Sequence, residues 1–181
     1  MSKVTVISTS LRAKSNSDLL AERLAAGARD AGFEVEEISL KGKNLRFCIG
    51  CLACQKTKQC VFKDDAVEIA EKVRTCDAVV FATPIYYYEM SGQMKTLLDR
   101  MNSLYVSDYR FRKVYLLSVA ADGDEHTPEK AVNGLQGWVD CFEKAELAGS
   151  VFFGGLNDAN AAAGQDAILE KAYQFGKAIH V

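Results

Sequence analysis

The chain has 181 residues, of which 49% are hydrophobic and 25% are charged. This balance is typical of a globular domain and excludes long disordered segments. The 22 Lys and Arg residues against 24 Asp and Glu residues leave a net charge of −2, which does not favour nucleic acid or an anionic membrane as a partner.

Short apolar runs and amphipathic stripes alternate along the chain, which predicts strands alternating with helices. In chain order the predicted elements are a strand at 4–8, a helix at 15–31, a strand at 33–38, an irregular segment at about 41–63, a helix at 64–73, a strand at 77–82, a helix at 94–104, a strand at 114–120, a helix at 127–142, a strand at 151–153 and a helix at 161–178. Asp64 and Asp65 are expected to cap the second helix, and Thr83-Pro84 to end the third strand.

Five strands that alternate with five helices predict an α/β fold. At this length we expect a doubly wound, five-stranded parallel sheet in the order 2-1-3-4-5, with helices on both faces. The length predicts one domain over residues 1–181. No apolar stretch approaches the ~20 residues of a membrane helix, and the absence of a signal-peptide core after Met1 predicts a cytoplasmic protein.

In such a sheet, ligands bind at the carboxyl ends of the strands, between strands 1 and 3. The loop after strand 1 carries five Ser or Thr hydroxyls within residues 8–18, together with Asn16 and Arg12. Hydroxyls, a cation and a helix N-terminus suit a phosphate group, although the same residues would serve as ordinary helix caps. The G-x-G-x-x-G and G-x-x-x-x-G-K-[ST] motifs are absent, which disfavours Rossmann dehydrogenases and ATPases.

The loops after strands 3 and 4 are also unusual. Three consecutive tyrosines at 86–88 follow Pro84 and Ile85, and these rings form a surface for a planar heterocycle, for a dimer interface, or for both. Residues 120–126 are first small and then acidic, so a ligand can approach the backbone there. The acids and His126 form either a solvated loop or a metal site.

Six cysteines are present, and four of them lie within 13 residues with the spacing C-x2-C-x2-C-x5-C: Cys48, Cys51, Cys54 and Cys60. This run is close to that of bacterial ferredoxins and fits structural zinc less well. Six Lys or Arg residues and no acid accompany it between 41 and 63, which would offset an anionic cluster. The alternative is a loop shaped by reduced thiols. Cys76 and Cys141 are predicted to be core thiols.

Together these segments resemble the NADPH-dependent FMN reductase family of flavodoxin-like proteins, including its iron–sulfur flavoprotein branch, over nearly the whole chain. The motifs that carry the resemblance are Ser10-Leu11-Arg12 with Ser15-Asn16-Ser17, Thr83-Pro84-Ile85-Tyr86-Tyr87, Gly92-Gln93-Met94-Lys95 with Leu98-Asp99-Arg100, and the cysteine run followed by Asp64-Asp65. Leu11 stands where the family usually has Pro. Relatives with this cysteine pattern include proteins without a cluster.

The resemblance implies a single flavodoxin-like FMN-binding domain with a cysteine-rich insertion at about 41–63. Residues implied to bind the FMN phosphate are Ser10, Arg12, Ser15, Asn16 and Ser17. Residues implied to contact the flavin ring are Thr83, Pro84, Ile85, Tyr86 and Tyr87, with Ala120, Asp122 and Gly123 at its pyrimidine edge. The implied ligands of a [4Fe–4S] cluster are Cys48, Cys51, Cys54 and Cys60.

The implied activity is an NAD(P)H oxidoreductase in which FMN N5 passes reducing equivalents to a small acceptor, such as a quinone or free flavin. No catalytic side chain is predicted, because the flavin carries the chemistry. A non-enzymatic flavodoxin-type electron carrier and a thiol or metal redox sensor are the alternatives. A homodimer or homotetramer is expected, since Tyr87, Tyr88 and Met90 would otherwise expose an apolar patch.

Overall fold

The computed structural model describes residues 1–181. The strands are β1 (Lys3–Ser8), β2 (Glu34–Ser39), β3 (Ala78–Tyr86), β4 (Glu89–Met90), β5 (Lys113–Val119) and β6 (Glu146–Phe153). The helices are α1 (Asn16–Asp30), α2 (Ala53–Thr57), α3 (Asp65–Thr75), α4 (Gly92–Arg100), α5 (Glu129–Val139) and α6 (Asp166–Lys177), and a 3-10 helix spans Met101–Val106. None of these helices combines the length and the apolar character needed to cross a membrane.

Five strands form a parallel sheet in the order β2-β1-β3-β5-β6. The predicted α/β fold is therefore confirmed, including the order of its five parallel strands. Strands β1, β3 and β5 are almost wholly buried, as expected for strands covered by helices on both faces. The sixth strand, β4, was not predicted; it pairs antiparallel with the end of β3.

The helices divide into two layers, each with its own core. A cluster of 24 buried residues, among them Ile69, Leu97 and Leu135, packs α3, α4 and α5 against one face of the sheet. A cluster of 19 buried residues, including Leu24 and Ala172, packs α1 and α6 against the other face. Because β1, β3 and β5 are parallel neighbours, their carboxyl ends lie side by side at one end of the sheet, between the two helix layers.

Strand β3 continues past its predicted end at Ala82 and passes through Pro84 to Tyr86. Proline interrupts a central strand because it has no N–H to donate. Here β1 has already ended, since Ser8 is the last residue paired with β3 and it lies opposite Ala82. Pro84 therefore has a strand on one side only, opposite Val119 at the end of β5, and the chain can continue into a hairpin.

The last strand and the last helix begin at other residues than predicted. Strand β6 begins at Glu146 rather than at 151, and α6 begins at Asp166 rather than at 161. The segment before α6 forms turns, and Gly164 adopts a φ of +80° there. Residues 159–164 form turns, and this segment contacts the loop after β1, where the N–H of Asn160 donates to the carbonyl of Lys14.

The two isolated cysteines occupy different environments. Cys76 is fully buried, as predicted, and burial raises the pKa of its thiol to about 11. The prediction of a core thiol is wrong for Cys141, which is exposed. Helix α5 ends at Val139, so Cys141 falls in the following turn instead of on the buried stripe of the helix.

Candidate functional site

The loops after β1, β3 and β5 lie side by side at the carboxyl edge of the sheet. The backbone N–H of Thr9 donates to the carbonyl of Ala82 at 2.9 Å, which joins the first two loops. The loop after β6 joins them as well, because Leu156 N–H donates to the carbonyl of Ala120 at 2.9 Å and Asn160 N–H to the carbonyl of Lys14 at 2.8 Å. The structure thus brings the three predicted loops together and adds a fourth that was not predicted to belong to the site.

The loop after β1 presents backbone donors without acceptors. Ser15 caps α1, and its Oγ accepts from the backbone N–H groups of Ser17 at 3.1 Å and Asp18 at 3.4 Å. The N–H groups of Ser15 and Asn16 have no acceptor within the chain, although these residues are only 5% and 6% exposed. Lys14 adopts a positive φ of 52° just before them. A turn with free N–H groups that leads into a helix is an anion-binding arrangement.

The side chain of Asn16 has a structural partner. Its Nδ2 donates to the carbonyls of Leu156 at 3.2 Å and Asp158 at 2.8 Å, and its Oδ1 accepts from the N–H of Ala162 at 3.0 Å. Arg12 Nη1 donates to the carbonyl of Asn157 at 2.8 Å. Asn16 therefore fastens the β6 loop to α1 with its amide, and only its backbone N–H is left for a ligand. Arg12 is exposed and keeps further donors.

We expect Asn16→Ala to lower the free energy of unfolding by about 2–4 kcal/mol. The substitution leaves two buried backbone groups of the β6 loop without partners, the carbonyl of Leu156 and the N–H of Ala162, and each such group costs about 1–3 kcal/mol. Urea denaturation of the cofactor-free protein measures the change. Asn133→Ala, at an exposed position of α5, is the control and should change stability by less than about 0.5 kcal/mol. Equal effects of the two substitutions would contradict the role assigned to Asn16.

Buried hydroxyls connect the loops after β1 and β3. Thr83 Oγ1 accepts from the N–H of Ser91 at 3.0 Å and donates to the carbonyl of Pro84 at 3.0 Å. Ser91 Oγ lies 3.1 Å from Thr9 Oγ1 and accepts from the N–H of Met94, which caps α4. Because these hydroxyls are satisfied within the chain, Thr83 is placed to hold the backbone of the site. Ser91 was not predicted from the sequence to take part, and Thr9 was predicted only as one of the five hydroxyls of the loop after β1.

Tyrosines occupy the turn of the hairpin between β3 and β4. Tyr86 pairs with Glu89, so Tyr87 and Tyr88 are the two central residues, with φ values of 51° and 66°. This left-handed conformation costs a non-glycine residue roughly 1–2 kcal/mol, and turns of this kind usually contain Asn-Gly. Tyr87 is 98% exposed and Tyr86 is 52% exposed, so both rings are accessible to a ligand. Met90, in contrast, is buried in the chain's own core and adds nothing to an exposed patch.

We expect Tyr87→Gly to raise the free energy of unfolding by about 1 kcal/mol, because glycine adopts the left-handed conformation without strain. The ring contributes little packing, since it is almost fully exposed. Tyr105→Gly is the control: Tyr105 is 57% exposed but has a negative φ, so this variant should lose stability. Thermal unfolding of the cofactor-free variants tests both expectations, and destabilisation by Tyr87→Gly would show that the turn is not strained.

The loop after β5 is held through its backbone. Ala120 is buried. Its N–H donates to the carbonyl of Phe153 at 3.0 Å, and its carbonyl accepts from the N–H of Leu156. Gly123 is exposed and lies against Gly154. A Cβ added to Gly154 would lie 2.7 Å from the Cα of Gly123. Asp122 Oδ1 accepts from the N–H of Asp124 at 3.1 Å. Of the three predicted residues, Ala120 has its backbone groups occupied, while Asp122 and Gly123 face solvent.

The acidic end of this loop is solvated. His126 is exposed, and its Nδ1 lies 2.6 Å from Glu129 Oε1. This hydrogen bond, with the charges of Glu129 and Asp124, raises the pKa of the imidazole. Nearby, Thr127 Oγ1 is buried without a hydrogen-bond partner. Throughout the chain, no group of three or more His, Cys, Asp or Glu side chains is arranged to hold one metal ion.

The four clustered cysteines line a single small pocket. Its walls also include Phe62, Arg100 and Asn102. Cys48 and Cys51 are exposed, whereas Cys54 and Cys60 are half-buried. The sequence run therefore brings all four thiols to one place, without the tight grouping that a single ion requires.

A buried ion pair supports this pocket. Arg100 Nη1 and Nη2 contact the two carboxylate oxygens of Asp64 at 2.7 and 2.8 Å, and both side chains are at most 2% exposed. Burial alone would raise the pKa of Asp64, but hydrogen bonds from Arg100 and from the N–H of Arg46 outweigh it and hold that pKa below its usual value. Asp64 is the N-cap residue of α3, as predicted, but its carboxylate pairs with Arg100 and makes no cap hydrogen bond to the helix. Asp65 instead accepts from the N–H of Asn44 at 2.7 Å.

Comparison with known proteins relates the chain to flavin-dependent oxidoreductases. The profile of the NADPH-dependent FMN reductases matches residues 2–155. An iron-sulfur flavoprotein of Archaeoglobus fulgidus is 42% identical over 72 residues, which are 40% of this chain and 33% of that protein. An iron-sulfur flavoprotein of Methanosarcina thermophila is 26% identical over 155 residues, which are 85% of this chain and 81% of that protein.

The extent of these matches varies. The chain spans about one third of the Archaeoglobus protein and about half to three fifths of two further iron-sulfur flavoproteins. Among solved structures, the NAD(P)H:quinone oxidoreductase from Methanothermobacter marburgensis superimposes with a TM-score of 0.71, 16% identity and 99% coverage of both chains. At this identity the superposition establishes the shared fold.

Proposed function

The chain belongs to the NADPH-dependent FMN reductase family, and on this premise we propose that it is an FMN-dependent NAD(P)H oxidoreductase that reduces a small acceptor such as a quinone or free flavin. We also propose that residues 1–181 act as one FMN-binding domain with a cysteine-rich insertion at about 41–63. The observation that carries the proposal is the meeting of a donor-rich helix start, an exposed tyrosine surface and an open backbone loop at one edge of the sheet.

The first of these features fits the phosphate of FMN. The free N–H groups of Ser15 and Asn16 lie at the positive end of α1, where a phosphate dianion is stabilised. In this proposal, Ser10 and Ser17 add hydroxyl groups and Arg12 adds a cation from the solvent side. The amide of Asn16 keeps the β6 loop in place and binds no phosphate oxygen, which refines the role that the resemblance implied.

The other two features fit the isoalloxazine ring. Pro84, Ile85, Tyr86 and Tyr87 would cover one side of a planar ring, and Thr83 would hold their backbone through Ser91. Asp122 and Gly123 are the groups of the β5 loop that remain open to the polar edge of the ring. When bound, FMN supplies the redox chemistry, since it accepts a pair of electrons from NAD(P)H and releases them together or singly.

We further propose that the four cysteines bind a [4Fe–4S] cluster. A cluster distributes its thiolate ligands over several iron atoms, so its ligands stand farther apart than those of one ion. The four thiols line one pocket, which supplies the four sulfur donors that such a cluster needs. Exposure of Tyr86, Tyr87 and Tyr88 supports a homodimer or homotetramer, and light scattering at micromolar concentration tests this assembly.

An anaerobic absorption spectrum before and after NADPH tests the enzyme proposal. We expect a two-banded flavin spectrum that bleaches with NADPH and recovers with a quinone. Arg12→Ala should weaken FMN binding about tenfold, as expected for the loss of a charge-assisted contact of ~1.4 kcal/mol, whereas Arg29→Ala, an exposed arginine at the end of α1, should not. Tyr87→Gly should also weaken binding, and because it is expected to stabilise the fold, misfolding would not explain the loss.

A protein that takes up no FMN would overturn the proposal. A protein that binds FMN but never turns over NAD(P)H with any acceptor would favour the electron-carrier alternative.

For the cluster, iron and acid-labile sulfide are measured after anaerobic purification. Cys54→Ser should lose both, and Cys141→Ser, an exposed cysteine outside the pocket, should retain them. A wild-type protein without iron would contradict the cluster and favour a thiol-based role.

A further inference from the structure

Two side chains at the end of α4 donate hydrogen bonds to sulfur atoms of the cysteine pocket. Arg100 Nη2 lies 3.3 Å from Cys60 Sγ, and Asn102 Nδ2 lies 3.3 Å from Cys54 Sγ. Arg100 is the last residue of α4 and Asn102 belongs to the 3-10 helix that follows. Both donors therefore come from one rigid stretch of chain outside the cysteine segment itself.

The guanidinium group of Arg100 is held in place before any ligand arrives. It makes a two-point contact with Asp64, donates to the carbonyl of Arg46 at 2.7 Å, and lies 5.2 Å from the ring of Phe62. Its side chain is 1% exposed. A buried guanidinium with this many partners cannot rotate away from Cys60 without breaking strong charge-assisted hydrogen bonds.

The four thiols thus fall into two pairs. Cys54 and Cys60 are half-buried, and each receives a hydrogen bond from outside the segment. Cys48 and Cys51 are exposed; the only donor to Cys48 Sγ is the N–H of Gly50 at 3.5 Å, and Cys51 Sγ has none. One pair is positioned by the folded domain, and the other pair is positioned by its own loop.

On the premise of the cluster proposed above, we propose that Arg100 and Asn102 are positioning residues that orient Cys60 and Cys54 as ligands and raise the reduction potential of the cluster. Reduction adds negative charge to the cluster and its thiolates. Hydrogen bonds to ligand sulfurs and a nearby cation stabilise that charge more in the reduced state than in the oxidised state. Removal of either donor therefore makes the cluster harder to reduce.

The test measures the midpoint potential of the cluster in the FMN-loaded, anaerobically purified full chain, by a reductive titration followed by electron paramagnetic resonance. Asn102→Leu removes one donor while keeping the side-chain volume, and Arg100→Lys keeps the positive charge but not the two-point geometry. We expect each variant to retain iron and sulfide. We also expect the equilibrium constant for reduction to fall severalfold, up to about tenfold, which is 59 mV for one electron.

Lys95→Met is the matched control, because it removes an exposed cation of α4 that contacts only Asp99. Its potential should equal that of the wild type. Unchanged potentials in Asn102→Leu and Arg100→Lys, with full iron content, would overturn this inference and leave the cluster assignment intact. A wild-type protein without iron would overturn both. If Arg100→Lys fails to fold, the potential of Asn102→Leu decides the question, since Asn102 takes no part in the buried ion pair.

Discussion

Asp64→Ala is expected to lower the free energy of unfolding by about 3–5 kcal/mol. The substitution leaves the guanidinium of Arg100 buried without a counter-charge, and the loss of one partner of a buried pair has this magnitude. Denaturation of the cofactor-free protein, followed by circular dichroism, measures the loss. Asp99→Ala is the control, because its pair with Lys95 is exposed and should contribute less than about 0.5 kcal/mol.

The same ion pair predicts a dependence on pH. The pKa of Asp64 is lower in the folded protein than its ordinary value of 3.8. Its contribution to stability is therefore complete above that value, and it is lost as the pH falls through the folded pKa. Asp64→Ala should lack this part of the acid-induced loss of stability.

An Asp64→Leu and Arg100→Met double variant should recover much of the stability that Asp64→Ala loses. Equal losses of stability in the single and double variants would contradict the expected cost of the unpaired guanidinium.

Gly176→Ala is expected to destabilise the protein by about 3 kcal/mol, at the upper end of the cost of overpacking. A Cβ at Gly176 would lie 1.9 Å from the carbonyl oxygen of Leu24, and one at Gly27 would lie 2.0 Å from that of Tyr173. Both obstacles are backbone atoms, so α1 and α6 would have to separate. Since α1 begins with the proposed phosphate site, FMN affinity is expected to fall with stability.

A helical glycine with open space around it supplies the control. A Cβ added at Gly137 in α5 would have no atom within 4 Å, so Gly137→Ala should raise stability by about 0.5–1 kcal/mol through helix propensity. Chemical denaturation of the wild type and the two variants gives both values. A Gly176→Ala variant as stable as the wild type would mean that the two helices are not in backbone contact.

The parallel strands could be predicted because hydrophobic periodicity depends on short stretches of chain, and their order followed from the connection rules of doubly wound sheets. The course of β3 beyond Ala82 could not, since it depends on where β1 ends. A proline usually ends a central strand, but Pro84 has a neighbouring strand on one side only. Likewise, the pairing of Asp64 with Arg100 joins positions 36 apart in sequence, and local capping rules favour the nearer α3.

The phosphate loop, the tyrosines and the cysteines could be located from the sequence, but the contacts that hold them could not. The β6 loop reaches the site through Asn16, which joins residues 140–146 positions apart. The doublet Gly154-Gly155 and the polar Asn157-Asp158 were signals of an irregular, close-packed loop there. Their partner could not be identified without the fold, because an asparagine at a helix start looks like an ordinary cap.

Helix α4 has constraints at both ends. Ser91 at its start is hydrogen-bonded to Thr9 and Thr83, and Arg100 at its end donates a hydrogen bond to Cys60 Sγ. One residue inserted between them would turn Arg100 by about 100° relative to Ser91 and shift it by ~1.5 Å along the axis, so one of the two attachments would be lost. When relatives are aligned, gaps should therefore be absent from residues 91–100, because this helix fixes the distance between the proposed flavin site and the proposed cluster site.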